Sequence, residues 1–151
     1  MIAKLTTLSA NSSYGNVIIP IEDSTEYIFN CEWIKDLTAH NTNDSKFTYS
    51  FNPQDRETDT CLFLVDETVS SIVTEADTIP YSSRVYFNVY EDGDTTATPV
   101  SHSFNVSDIS FGVGLGSSNS VVFIATGGFA LKKYIISHTL AEIITLVKTG
   151  S

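Results

Sequence analysis

In TEYIFNCEW, residues 25–33, Tyr27, Phe29, Cys31 and Trp33 take alternate positions, with Glu26, Asn30 and Glu32 between them and Ile28 as the exception. A period of two marks a strand with one buried face. The same period groups Phe47, Tyr49 and Phe51 in KFTYSF, Val85, Phe87 and Val89 in RVYFNVY, and His102, Phe104 and Val106 in SHSFNV. NVIIPIE around residue 18 and TCLFLV around residue 62 are unbroken apolar runs, as expected of strands covered on both faces. Pro20 confines the first of these to an edge or a bulge.

Turn chemistry separates the runs. Glu91-Asp92-Gly93-Asp94 stands between two of them, and Gly127-Gly128 divides SVVFIAT from FALKKYII with the two-residue spacing of a type I′ hairpin. Asn52-Pro53-Gln54-Asp55 reads as a further turn, and HNTNDS at residues 40–45 as a polar loop. The C-terminus carries two signals. Thr139 with Glu142 forms a capping box, and Leu140, Ile143, Ile144 and Val147 follow helical spacing. The strand-forming ITLV run, following directly on YIIS, favours a bulged last strand slightly over a short helix. About ten short strands at this spacing predict an all-β antiparallel sandwich, of jelly-roll or immunoglobulin-like Greek-key type, with a possible short C-terminal helix. No internal repeat and no linker divides the pattern, so residues 1–151 read as a single domain.

Composition agrees with a self-sufficient core. A chain of 151 residues buries roughly 70% of its unfolded surface, so it needs neither disulfide nor metal. Cys31 and Cys61 lie in no CxxC or Cys/His spacing and read as small core residues. Charge is unevenly placed. Residues 1–108 hold 17 acids and 5 bases, whereas 109–151 hold 1 acid and 3 bases. Acidity of this degree argues against nucleic-acid binding, which draws its affinity from cationic side chains. From Ile109 to Leu131 there is no charged residue, yet serines, Asn119 and five glycines interrupt the window, so no membrane span is expected. The N-terminus lacks the apolar core of a signal peptide.

Candidate chemistry is sparse. Gly112-Val113-Gly114-Leu115-Gly116 lacks GxGxxG spacing, a Walker lysine and a following helix, and fits a bend or close backbone approach better than a phosphate loop. His40, His102 and His138 occupy no ligand motif, and no serine lies in a nucleophile elbow. The expectation is a chain that is not an enzyme and needs no cofactor. Glu91, Asp92 and Asp94 are weak calcium candidates, since Ca²⁺ takes six to eight oxygens and the EF-hand spacing is missing. No other metal site is indicated. Arg84, Tyr86, Asn88 and Tyr90 share the polar side of one strand and form a candidate ligand face, a mixture able to stack on and hydrogen-bond a sugar or a protein.

The uncharged segment Phe111, Gly112, Val113, Gly114, Leu115, Gly116, Ser117, Ser118, Asn119 and Ser120 carries too little apolar surface for pure core and too little charge for an ordinary loop. It is the candidate interface, because strand-prone uncharged chain pairs readily with another chain while acidic faces limit aggregation. These features point to a non-enzymatic structural or assembly protein, with a virion component (capsid-decoration, capsid or tail/connector subunit) as the leading expectation. Its partners would be copies of itself or a larger shell, and its location a virion or an extracellular assembly. The alternative is a receptor- or carbohydrate-binding β-sandwich module.

Overall fold

The computed structural model describes residues 2–12, 22–51, 60–77, 83–125 and 131–149. The run around Pro20, the turn at Asn52–Asp55 and the Gly127-Gly128 pair lie outside these residues. The chain is mostly β. Its strands are β1 (Ile2–Ser12), β2 (Thr25–Asn30), β3 (Ile34–Ala39), β4 (Ser45–Ser50), β5 (Thr60–Val65), β6 (Arg84–Val89), β7 (Val100–Asn105), β8 (Ile109–Leu115), β9 (Asn119–Ala125) and β10 (Leu131–Ile136). Helix α1 (Val69–Asp77) follows β5, and α2 (Leu140–Thr149) follows β10. All ten strands join one antiparallel sheet in the order β3-β4-β5-β1-β2-β8-β9-β10-β6-β7.

That order contains a duplication the sequence pattern did not reveal. In the first half the strands run β3-β4-β5-β1-β2; in the second, β8-β9-β10-β6-β7, which is the same order of the corresponding strands. Each half ends in a helix, and each places a short 3₁₀ turn between its second and third strands, at Cys31–Trp33 and Val106–Asp108. Registers match as well. Ile2 faces Asn30 as Arg84 faces Asn105, Ile34 faces Tyr49 as Ile109 faces Ile124, and Ser45 faces Val65 as Ser120 faces Ile136. The strand-to-helix links repeat too: Asp66 N–H donates to Thr6 O at 2.9 Å, and Ser137 N–H donates to Asn88 O at 2.8 Å. Two faint sequence echoes accompany the repeat, Phe29-Asn30 with Ile34 against Phe104-Asn105 with Ile109, and Thr68, Ile72 and Thr74 against Thr139, Ile143 and Thr145. The expectation of no internal repeat is therefore corrected.

Two cores form on opposite faces of the central strands. One is aromatic: Tyr27, Phe29, Phe47, Tyr49, Phe63, Phe111 and Phe123, closed by Ile72 of α1. The other is mainly aliphatic: Ile28, Val85, Val122, Ile124 and Ile136 with the rings of Phe87 and Phe104, closed by Leu140, Ile143 and Val147 of α2. Ile28, the exception to the alternation, enters the second core because β2 is covered on both faces. Conversely, β5 is not doubly covered: Cys61, Phe63 and Val65 are buried, while Leu62 is 46% exposed. Each half also lends residues to the other's core, Ile2 and Ile28 in one direction and Phe111, Val121 and Phe123 in the other.

The C-terminal segment is a helix, against the slight lean to a strand. The capping box forms, with Thr139 N–H donating to Glu142 Oε1 at 3.1 Å and Glu142 N–H to Thr139 Oγ1 at 3.2 Å. Packing of Leu140, Ile143 and Val147 then outweighs the β-propensity of ITLV. Helix α1 was hidden by its polar content. Its start is marked by Ser71 N–H donating to Thr68 Oγ1 at 3.1 Å, and Ile72 is its one fully buried apolar anchor.

Candidate functional site

The candidate interface divides between core and surface. Phe111, Gly112 and Ser120 are buried, Val113 and Asn119 are half-buried, and Gly114 to Ser118 are exposed around the β8–β9 turn, with Leu115 40% exposed. Phe111 stacks on Tyr27 at a centroid distance of 4.9 Å. Gly112 pairs with Ile28, and a Cβ at that position would stand 2.7 Å from Ile28 Cγ1, so the backbone approaches a side chain where only glycine fits. The glycine-rich run thus combines a close approach in the middle of the sheet with a turn, where Gly116 has φ +65°. Its solvent-facing part is the tip Gly114–Ser118.

A polar strut crosses the seam beside it. Tyr49 is fully buried, and its hydroxyl accepts from Asn30 N–H at 2.8 Å and donates to Ser110 O. Asn30 Nδ2 donates to Ile109 O at 3.2 Å and its Oδ1 accepts from Glu32 N–H at 3.1 Å, so one side chain caps the 3₁₀ turn and ties β2 to β8. Burial pushes the Tyr49 phenol well above its ordinary range, so it stays a neutral donor.

The candidate ligand face is set out by β6. Arg84, Tyr86 and Asn88 are exposed, and Val85, Phe87 and Val89 are buried, so alternation puts the three on one outward side. Tyr86 is 52% exposed. Arg84 Nε donates to Ser103 Oγ at 2.9 Å across to β7. Tyr90 departs from this row: it follows the strand, and lines a cleft of about 560 Å³ together with Glu91, His102, Lys132 and Tyr134. There His102 Nε2 lies 3.1 Å from Glu91 Oε1, and Lys132 Nζ stands 5.1 Å from the Tyr134 ring centroid.

The weak calcium candidates do not converge. Glu91 turns to His102, while Asp94 Oδ1 accepts from both Thr96 N–H and Thr96 Oγ1, which holds its carboxyl below the usual range. Asp92 is exposed with φ +57° in the turn. Among the described residues no three His, Cys, Asp or Glu side chains gather as a metal site. Cys31 and Cys61 are unbridged, and burial pushes the Cys31 thiol up to about 11.

Of the three histidines, His138 has the most defined role. Its Nε2 accepts from Asn88 N–H at 3.0 Å, the place that Glu67 fills in the first half by accepting from Thr6 N–H at 2.9 Å. Burial, the main cause, lowers the His138 pKa, with Glu142 opposing. The native state therefore binds this proton less well than the unfolded chain, so the stabilisation from neutral His138 is complete above about pH 6.5 and fades as pH falls below it. Urea midpoints measured between pH 8 and pH 5 should drop on the acid side, and His138→Gln should flatten that part of the profile.

Among the described residues no helix is long and apolar enough to cross a membrane. Comparison with protein-family models, with curated proteins and with solved structures finds no match to this chain.

Proposed function

We propose that the chain is a non-enzymatic structural protein acting through protein–protein contacts, of the class of virion components that decorate, build or connect capsids and tails. On this reading the folded sheet serves as a β-sandwich of Greek-key character, located in a virion or other extracellular assembly. The observation that carries it is the sheet's open ends: β3 and β7 each have one strand neighbour only among the described residues, leaving backbone donors and acceptors available to another chain. Four ionisable groups accord with it, since Glu67, Asp94, His138 and Glu142 hold backbone and turns. Light scattering after size exclusion at several concentrations, with and without candidate shell proteins, tests the proposal. Self-association or shell binding is expected; a chain that stays monomeric and binds no shell refutes it.

Recognition of a receptor or carbohydrate is the second reading, favoured by the half-exposed Tyr86 ring between Arg84 and Asn88. A glycan array would show binding lost in Tyr86→Ala and Tyr90→Ala under this reading, and no binding under the first.

A further inference from the structure

The two halves meet in one way, and among the described residues the ends of the sheet carry the same two surfaces unmatched. At the centre, β2 of the first half pairs with β8 of the second, and α2 packs across β1. The counterpart of β2 is β7 and the counterpart of β8 is β3, and among the described residues these are the strands that end the sheet. The counterpart of β1 is β6, whose outward row Arg84, Tyr86 and Asn88 corresponds to Ile2, Lys4 and Thr6. Helix α1 corresponds to α2. Each helix packs on the first and third strands of its own half, α1 on β1 and β3, α2 on β6 and β8; the additional packing of α2 on β1 belongs to the seam between halves.

We propose that a second copy of this chain binds head to tail, its β3 pairing with β7 and its α1 covering the outward face of β6. This rests on the assembly reading above and names the partner and the surface. Three of the five exposed large apolar residues among those described fall where the seam would bury them; Leu62 and Leu115 lie elsewhere. Val73, Tyr86 and Val100 are 44%, 52% and 47% exposed. Their counterparts are Ile144, Lys4 and Thr25: Lys4 and Ile144 line one groove of the internal seam, and Thr25 lines another with Leu140 and Ala141 of α2. The repeated arrangement therefore brings Val73 of one copy to Tyr86 of the next, and places Val100 beside the start of that α1.

Side-chain size at the strand edges is complementary in the reversed sense. The internal pair sets Ile28 against Gly112; the external one sets Ser103 against Leu37, with the bulk now on the β3 side. Polar residues replace apolar ones elsewhere, Asp36 for Phe111 and Thr38 for Val113, and Asp36 has φ +55° within an irregularity of β3. The external junction consequently buries less apolar surface than the internal one and is the weaker of the two, forming and dissociating with concentration. Such a contact joins unlike surfaces, so it closes into a ring or extends into a filament according to its rotation.

Sedimentation velocity of the full chain over a wide concentration range, with Tyr86→Asp and Val73→Asp variants, tests this. The wild type should self-associate, and each exposed-site variant should keep its thermal midpoint while weakening association about tenfold or more. Mixing the two variants should restore a complex that stops at two chains, since each retains the surface the other lacks. Val100→Asp provides a second variant on the β7 side. Self-association of the wild type that neither variant weakens, or variants that fail to complement, overturns the head-to-tail contact and leaves the assembly reading standing. A wild-type chain that stays monomeric also overturns it, and the assembly reading falls too only when no shell is bound.

Discussion

Phe29→Ala should lower the unfolding free energy by about 3–5 kcal/mol, the range for emptying a buried aromatic site. Phe29 is fully buried and meets four other rings edge-on: Phe47 at 5.4 Å, Tyr49 at 5.1 Å, Phe63 at 5.0 Å and Phe111 at 5.2 Å. These rings come from β4, β5 and β8, so they are fixed by three separate backbones and cannot close in on the vacancy together. Urea unfolding followed by fluorescence checks the value. A loss below about 1 kcal/mol would mean that the cluster collapses around the smaller side chain.

Gly112→Val should cost about 3 kcal/mol, at the upper end of overpacking effects. The added Cβ meets Ile28 Cγ1 at 2.7 Å and Cδ1 at 2.9 Å, and the Val121 carbonyl oxygen lies at 3.3 Å. Ile28 is itself fully enclosed and has no room to retreat. A double-mutant cycle with Ile28→Ala identifies the cause: the pair should be less destabilised than the sum of the single changes, because removing Ile28 beyond its Cβ frees the space. Simple additivity would show that Gly112 matters through backbone freedom instead.

Much of the strand pattern was readable because period-two burial is local. KFTYSF and RVYFNVY gave their buried faces directly, and β6 alternates as expected along its whole length, whereas in TEYIFNCEW the strand ends at Asn30, itself buried, and Cys31–Trp33 turns as a 3₁₀ helix. What was hidden depends on partners distant in sequence. Ile28 made sense only once the second half packed against β2, and TCLFLV looked doubly buried although Leu62 faces outward. Helix α1 offered one buried anchor, Ile72, too few for a periodicity argument. The repeat was obscured for a related reason. Residues facing the seam differ in polarity from their counterparts at the free ends, as Ile28 and Ser103 do, so the halves look unlike wherever their surroundings differ.

The candidate site was less legible. Phe111–Ser120 was singled out for lacking charge, which is what the inner end of β8 and the turn at its outer end have in common despite their different roles. The Arg84, Tyr86 and Asn88 row was identified from alternation alone, but its significance as the vacant equivalent of a covered face required the topology.

The exchange of side chains between halves also bears on how the chain folds. The first half encloses its aromatic rings only when Phe111, Val121 and Phe123 arrive from the second, which in turn needs Ile2 and Ile28. Although each half is contiguous in sequence, neither owns a complete interior. Denaturation should consequently run as one cooperative transition instead of two successive ones, with the calorimetric enthalpy equal to the van't Hoff value. Two halves of the same topology would then form one folding unit, because each completes the other's interior.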